Sequence, residues 1–365
     1  MKDTSACTKW LWLSFSCALT KSKMLKLYEC FENIDNIFVA LREDYEKLSF
    51  LKADDIDRLC QKDLSPALDY EKKLAMKGIS VITRDMELFP EGVRDLKNFP
   101  SVLYCKGKVR KLCKDECISI VGSRTPGNYG KNITYEISRA VSRAGFAVVS
   151  GMADGIDSIA HRACLEAGGY TVAVLGCGVD VVYPKGNFEL YGRICQNGMI
   201  ISEYLPGSMP ERFSFPERNK IIASLSRATV VTEANSKSGS LITAADAKSL
   251  KRNVFAVPGN ITSKLSGGTN ELIKSGAIAI TGANDVCEYY HISATNEITS
   301  TSSPQTNDPK ECLVLKALSE KALSIDEICY KTALSLSELN SILLIMEVKD
   351  LIKKTGADLY TPVLK

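Results

Sequence analysis

The central half of the chain repeats one pattern of hydrophobic and polar positions: a short apolar run, a loop of small residues, and a segment with apolar residues at helical spacing. Residues 118–121 are continuous and β-branched, which predicts a strand buried on both faces. Apolar residues three and four apart then predict a helix over residues 131–143. Residues 147–149 and 171–175 predict two more strands, separated by another helical segment. Such alternation predicts a parallel sheet with right-handed crossovers.

The same alternation continues to residue 290. Further strands are predicted at residues 199–203, 228–233, 253–257 and 277–280. We therefore predict an α/β fold over residues 114–290, with a Rossmann-like, doubly wound, mostly parallel sheet and helices on both faces.

The sequence before this core predicts a helical domain followed by a connector. Residues 1–77 carry short amphipathic segments and predict a small helical domain of the SAM or helix-hairpin-helix kind. Residues 78–113 predict a connector that leads into the core and has strand character at 79–83 and 101–106.

The sequence after the core predicts a linker followed by a second small domain. Residues 291–310 are rich in Ser, Thr, Asn and Pro, which predicts a linker. In residues 311–365, Ser324 with Glu327 and Ser335 with Glu338 form two capping boxes, each of which predicts a helix start. A hairpin is predicted around residues 355–358. Helices followed by a hairpin predict a winged helix.

Charge and composition narrow the functional classes. The net charge is only +3, so a basic surface for nucleic acid would have to be local. The 13 cysteines and two histidines show no metal-ligand spacing, which predicts reduced thiols, no metal site and a cytoplasmic location. No apolar run is long enough to span a bilayer, and residues 10–19 resemble a signal segment without a convincing cleavage site. We expect no cofactor and no membrane contact.

The loops after the strands predict the functional site. In parallel sheets the carboxyl ends of the strands meet at one edge, where ligands bind. Glycines there let a ligand approach the backbone, and N–H groups at helix starts suit phosphate. The GxGxxG and Walker patterns are absent, but the first loop carries Arg124, whose planar guanidinium suits phosphate oxygens. The alternative role of Arg124 is a structural ion pair with a nearby carboxylate.

Several motifs, in this order along the chain, resemble the DNA-processing protein A (DprA/Smf) family. They are GSR at 122–124, SGMADGID at 150–157, GCGVD and YPKGN within 176–187, SEY at 202–204, FPERNKIIASLS at 215–226, SGSLITA at 238–244, VPG at 257–259 and GGTNELIKSGA at 267–277. The resemblance covers the whole core. It implies a Rossmann-like domain that binds single-stranded DNA and passes it to the RecA recombinase during natural transformation. It also implies a homodimer without known catalytic activity.

The chain departs from the family pattern in three places. Residues 18–21 read ALTK where the family usually has a glycine-bearing hairpin. Lys220 ends the FPxRN motif where the family has arginine, which keeps the charge and loses the planar fork. The predicted recognition helix, residues 337–351, carries three acidic side chains, which repel phosphate. This winged helix is therefore predicted to contact protein.

Our first hypothesis is a single-stranded DNA-binding mediator that protects incoming DNA and helps to load RecA. The predicted DNA- or phosphate-binding residues are Gly122, Ser123, Arg124, Gly151, Gly176, Lys185, Asn187, Phe215, Arg218, Asn219, Lys220, Ser238, Gly239, Ser240 and Thr243. Phe213 and Phe215 would stack on bases or pack in the core, and Lys237 is a weaker candidate. A two-fold dimer interface is predicted around residues 267–286.

Two other hypotheses stay open from the sequence. One is a Rossmann-like nucleotide-processing enzyme of the phosphoribohydrolase kind, although SKSGSLIT stands where that class has PGGxGT. Asp154, Asp157, Glu203 and Glu233 could supply an acid and a base, but their positions are more typical of caps and loop ties. His161 is isolated, so we predict no catalytic residues. The other hypothesis is a transcription regulator with a ligand-sensing core, which a winged helix permits.

Overall fold

The structure is a computed structural model that describes residues 5–292, 306, 308–318, 323–349, 351–355 and 359–362. These residues belong to two compact units, 1–294 and 295–365. None of the helices in the described part of the chain combines the length and the apolar character needed to cross a bilayer.

Six helices lie between residues 5 and 77, all of which the structure describes. They are α1 (Ala6–Leu11), α2 (Lys21–Phe31), α3 (Ile34–Val39), α4 (Arg42–Glu46), α5 (Ala53–Gln61) and α6 (Ser65–Met76). A π-helical turn, Trp12–Ser16, follows α1. The apolar run that resembles a signal segment lies here, and residues 10–13 are at most 1% exposed. This run therefore forms the core of the helical region.

The first unit is built on a sheet that has nine strands among the described residues. The strands are β1 (Ile79–Thr83), β2 (Val102–Gly107), β3 (Cys117–Val121), β4 (Ala147–Ser150), β5 (Thr171–Val174), β6 (Met199–Ser202), β7 (Ala228–Val231), β8 (Asn253–Ala256) and β9 (Ile278–Ala279). Their order is β1-β2-β6-β5-β4-β3-β7-β8-β9. Strands β3 to β9 pair in parallel, whereas β2 pairs antiparallel with β1 and β6. The mostly parallel sheet confirms the predicted fold class.

The segment 78–113, predicted as a connector, is corrected to a part of the sheet. Ile79 pairs with Lys106 across β1 and β2, and Tyr104 pairs with Ser202 across β2 and β6. One face of these strands packs on the N-terminal helices, so Trp10, Ile79 and Tyr104 share one apolar core. The helical region is therefore not a separate unit. Local patterns predicted the two strands but not their partners, because antiparallel edge pairing joins residues far apart in sequence.

Helices cover both faces of the parallel strands. They are α7 (Asn128–Arg143), α8 (Ile156–Glu166), α9 (Phe188–Asn197), α10 (Ser214–Ser224), α11 (Ser240–Ser249), α12 (Gly267–Lys274) and α13 (Asp285–Tyr289). Along β3, Ile118 and Ile120 pack against α7 and α8, whereas Cys117 and Val121 belong to the core under α10 and α11. This alternation places α7 with α8 and α10 with α11 on opposite faces of the sheet.

The second unit contains the predicted winged-helix elements. They are α14 (Pro309–Ala317), β10 (Leu323–Ser324), α15 (Ile325–Thr332), α16 (Leu336–Val348), β11 (Ile352–Thr355) and β12 (Leu359–Pro362). The strands form a sheet in the order β10-β12-β11, and Ser324 and Ser335 cap α15 and α16 in capping boxes. Because α14 begins at Pro309, the first helix of the second unit begins two residues before the boundary predicted at residue 311. Residues 293–305, in the predicted linker, and 356–358, in the hairpin turn, lie outside the described residues.

Candidate nucleic-acid interface

Two adjoining cavities lie at the carboxyl ends of the parallel strands, beside β3. The chain proceeds from β3 in one direction to β6 and then returns to β7 on the other side of β3, so this is the topological switch point of the sheet. The larger cavity has a volume of about 370 Å³ and the smaller about 40 Å³. Loops after β3 and β4 and the first turn of α10 line both, and the start of α11 lines the larger one.

Arg124 lines both cavities and is exposed. Its guanidinium carbon lies 5.5 Å from the centre of the Phe215 ring. In the part of the chain that the structure describes, no carboxylate pairs with Arg124 and no acceptor takes a hydrogen bond from it. The alternative role, a structural ion pair, is therefore not observed, and the guanidinium donors have no hydrogen-bond acceptor among the described residues.

The loop that carries Arg124 is held by Glu233, at the end of the neighbouring strand. The backbone N–H of Ser123 donates to the Glu233 carbonyl oxygen (2.7 Å), and the N–H of Gly127 donates to Glu233 Oε1 (2.9 Å). The Ser123 carbonyl in turn accepts from the N–H of Ile156 at the start of α8 (3.0 Å). Glu233 is only 5% exposed. Its carboxylate is thus a loop tie, as its sequence position indicated.

The strand-end glycines serve the packing of the loops more than the approach of a ligand. A Cβ on Gly122 would lie 2.7 Å from an isoleucine side chain of α8, and one on Gly151 would overlap a buried arginine of α10. A Cβ on Gly176 would lie 3.1 Å from a serine hydroxyl. The expectation of open backbone is corrected at these three positions because protein atoms fill the space. At Gly239 nothing lies within 4 Å of the added atom, so that backbone is open.

Arg218 lies beneath the cavities and is 5% exposed. Its Nη1 donates to the carbonyl oxygens of Gly151 and Val174 (2.8 Å to Val174), and its Nε donates to Asn219 Oδ1 (3.1 Å). Burial raises the pKa of the neighbouring Asp157 carboxyl, and the charge of Arg218 opposes that rise. Arg218 therefore ties the ends of β4 and β5 together, and these donors are directed at protein rather than at a phosphate.

The start of α11 supplies hydroxyl groups to the larger cavity. Ser238 Oγ and Ser240 Oγ are hydrogen-bonded to each other at 2.8 Å. Ser240 and Thr243 are 7% and 1% exposed, and both line the cavity together with the open backbone at Gly239. Small polar side chains here leave room for a ligand beside the N-terminus of a ten-residue helix.

All the predicted site residues except Lys185, Asn187 and Lys220 line one of the two cavities. Asn187 is 4% exposed and donates from Nδ2 to the Met152 carbonyl (2.9 Å), so it holds a loop. Lys220 pairs with Glu217 (2.5 Å), and Lys185 is exposed outside the cavities. The side chains of Asn187 and Lys220 are directed at protein partners, which spacing along the chain does not reveal.

The two phenylalanines that were proposed to stack on bases lie in different places. Phe215 lines both switch-point cavities, whereas Phe213 is 63% exposed and lines a different cavity, of about 490 Å³, next to α2. The weaker candidate Lys237 is exposed and does not line the larger cavity. Asn235 and Thr125 do line it and were missed. Asn235 comes shortly after β7, so the strand-end rule that selected Gly122 could have found it.

The isolated histidine that was considered for acid–base chemistry is buried in the structure, away from the two cavities. His161 is fully buried, burial lowers its pKa to about 3, and its Nδ1 is hydrogen-bonded to Thr171 Oγ1 (2.7 Å). Among the described residues no group of three or more metal-ligating side chains comes together. All 13 cysteines are described, and each is a free thiol.

Comparison with known proteins supports the resemblance in the motifs. Residues 80–291 match the family model of DNA recombination-mediator protein A, and residues 299–356 match the DprA winged helix domain. Protein Smf of Synechocystis is 34% identical over 313 residues, which is 76% of this chain and 79% of that protein.

Two solved structures are similar to this chain. DNA processing protein A from Streptococcus pneumoniae is 35% identical, with a TM-score of 0.69 over 79% of this chain and 98% of that one. DNA processing protein A from Helicobacter pylori, whose structure was described for its single-stranded DNA binding mode, is 32% identical. Its TM-score is 0.54 over 58% of this chain and 95% of that one.

Proposed function

Because the chain belongs to the DNA recombination-mediator protein A family, we propose that it binds single-stranded DNA at the switch-point cavities and helps to load a recombinase of the RecA type. The observation that carries this proposal is Arg124, an exposed arginine at the ligand-binding edge of the sheet that has no carboxylate partner among the residues the structure describes. A guanidinium in that position can bridge two oxygens of one phosphate.

The rest of the site suits a strand that is held without regard to sequence. Ser238, Ser240 and Thr243 offer hydroxyls, and Gly239 offers open backbone, for phosphate and sugar. Phe215, with Arg124 over its face, offers a ring on which a base can stack, at a typical worth of about 1–3 kcal/mol. These contacts position a strand without reading base edges.

Catalysis is not part of the proposal. Asp157 faces Arg218, the Glu233 carboxylate accepts a loop N–H, and Glu203 pairs with Lys21 at 2.8 Å. Each of these three carboxylates thus has a structural role. Asp154 is exposed in the smaller cavity, and no second acidic residue is among the described residues that line that cavity, so it has no carboxylate partner there for acid–base chemistry. Incubation with nucleoside monophosphates should release no free base, and release above the buffer control would favour the phosphoribohydrolase hypothesis.

We also propose the finer steps that the family implies: protection of incoming DNA in natural transformation, transfer to RecA, a cytoplasmic location and a homodimer. For the dimer, the apolar residues of segment 267–286 argue little, because Leu272 and Ile273 pack on the core and Ile280 is 1% exposed. The argument that remains is the resemblance, together with the position of β9 at the end of the sheet. Light scattering at micromolar concentration should give twice the monomer mass, and a monomer at all salt concentrations would contradict the dimer.

For the winged helix we propose a protein partner. The outer side of α16 exposes Leu344, Ile345 and Val348, at 65%, 48% and 81%. A helix that reads DNA presents basic or amide side chains to the base edges, and this face is apolar. Replacing these three residues in the full-length protein should therefore leave its duplex DNA binding unchanged. If changing these three residues weakens duplex binding, the helix contacts DNA.

The experiment that tests the main proposal is a salt titration of Arg124→Ala on mixed-sequence single strands and on duplexes. Because one phosphate contact is lost, the variant should bind all single strands more weakly, and the log–log salt slope should fall by about 0.7. Arg124→Lys should restore part of the affinity. Arg143→Ala, an exposed position at the far end of α7, is the matched control. Equal affinity of Arg124→Ala and wild type at low and moderate salt would refute the site.

A further inference from the structure

A third concave surface, of about 520 Å³, lies on another side of Arg124. The charged residues that line it are Arg124, Lys131 and Arg162, and none of its described lining residues is acidic. Arg124 also lines both switch-point cavities, so it forms the ridge between those cavities and the outer surface. We call the concavity defined by these three cations the outer basic surface.

The other two cations come from neighbouring crossover helices. Lys131 lies in the first turn of α7, Arg162 lies on α8, and both are exposed. Within the described residues, neither makes an ion pair or a hydrogen bond through its side chain. Gly155, which precedes α8, lines the same surface, so the positive end of an eleven-residue helix adds to the field.

The nearby carboxylates do not neutralise this surface. Asp157 accepts backbone N–H groups of the loop after β4 and faces Arg218, and Glu166 accepts a hydrogen bond from Tyr135 (3.0 Å). Asp154, which precedes Gly155, is exposed and lines the smaller switch-point cavity instead of the outer surface. Three like charges around one concavity raise the local potential and attract an anion with several charges. A chain of phosphates that leaves the cavities over Arg124 would meet these charges next.

We propose that the outer basic surface binds the backbone phosphates of the same single strand that occupies the switch-point cavities. The inference rests on the proposed function and extends it, because it gives the strand a path and a longer footprint. Arg124 contacts the phosphate at the ridge, and Lys131 and Arg162 contact the phosphates that follow. These contacts involve backbone only, so they add affinity without sequence preference.

The test compares strand lengths with the full-length protein. The variant is Lys131→Gln with Arg162→Gln, and the matched control is Lys73→Gln with Lys97→Gln, two exposed positions that line neither the switch-point cavities nor the outer surface. Single strands of about four and about 16 nucleotides span the usual range of site sizes. Losing two phosphate contacts should lower the salt slope for the long strand by about 1.4, which is about 25-fold in Kd near 0.1 M salt. The short strand should bind as it does to wild type.

The possible outcomes of this experiment distinguish failure of the outer basic surface from failure of the proposed function. Equal losses for short and long strands, or a variant that behaves like the control, would overturn the outer surface. The conservative pair Lys131→Arg and Arg162→Lys should keep the long-strand affinity, and unchanged melting temperatures should show that the fold is intact. A wild-type protein that binds neither strand would instead overturn the proposed function itself.

Discussion

Replacing Arg218 with methionine tests whether this arginine holds the loops or contacts the DNA. The change leaves the Asp157 carboxylate, 7% exposed, without its countercharge, and it removes a donor from the carbonyls of Gly151 and Val174. Each buried acceptor that is left without its donor typically costs about 1–3 kcal/mol, and the uncompensated charge of Asp157 adds to that loss. With an unfolding entropy of about 2.1 cal/mol/K per residue, 1 kcal/mol lowers the melting temperature of the first unit, residues 1–294, by about 1.6 °C. A total loss of about 4 kcal/mol should therefore lower the melting temperature of Arg218→Met by about 6 °C.

The loss should depend on pH in a direction that Asp157 sets. Burial already raises the pKa of Asp157, and Arg218 is the first of the groups that oppose the rise. Without Arg218 the folded protein would hold the Asp157 proton more tightly than the unfolded chain does. The contribution of this group to stability is then present below its ordinary pKa, near 4, and is lost as the pH rises. The melting deficit of the variant should therefore be smaller at low pH, where Asp157 is protonated in both proteins, than at high pH.

Thermal melting followed by circular dichroism, with single-stranded DNA binding measured in parallel, separates the two roles. Asp157→Asn combined with Arg218→Met should recover part of the lost stability, because the unpaired buried charge is then gone. Our reasoning fails if Arg218→Met melts like wild type. If that variant also binds DNA more weakly, with a salt slope lower by about 0.7, Arg218 contacts phosphate directly.

Two further predictions concern titratable groups. Glu217 pairs with Lys220 (2.5 Å) and with Lys21 (3.2 Å), and Lys21 also pairs with Glu203 (2.8 Å). Glu217→Gln should therefore free Lys220 beside α10, tighten single-strand binding and steepen its salt slope, and unchanged binding would show that Lys220 does not reach the strand. His161 has its pKa lowered to about 3 by burial, so the unfolded chain takes up a proton below about pH 6.5 and the folded protein does not. Stability should fall by about 2 kcal/mol from pH 6.5 to pH 5, and His161→Gln should flatten that slope in denaturant titrations; an equally steep slope in the variant would assign the loss to other groups.

Much of the fold could be predicted because its signals are local. The β-branched run of β3 and the capping serines Ser324 and Ser335 each decide their own segment, and the structure has the strand and both helices there. The position of β1 and β2 in the sheet could not be predicted, because Tyr104 finds its partner, Ser202, almost a hundred residues later.

The sequence predicted that the site lies at the ends of the parallel strands, but it did not predict which side chains there are exposed and which are buried. Arg124 and Arg218 look alike in sequence, since each is a basic residue near glycines or aromatic rings. One is exposed and the other is buried by a carboxylate and two carbonyls, a distinction that depends on tertiary packing. Lys131 and Arg162 were missed for a related reason: each lies on a different helix, and only the packing of α7 on α8 brings them to one surface.

The apolar core that the N-terminal helices share with β1 and β2 limits how this protein can be rearranged. Trp10, Leu27 and Leu59 pack in the same cluster as Ile79 and Tyr104 of the sheet. A chain shortened to begin after residue 77 would expose that face of the sheet to water, and exposed apolar strands near a sheet edge promote aggregation. If the N-terminal helices were exchanged between relatives, the protein would fold only when the matching strands β1 and β2 were exchanged with them. The two segments are therefore expected to change together.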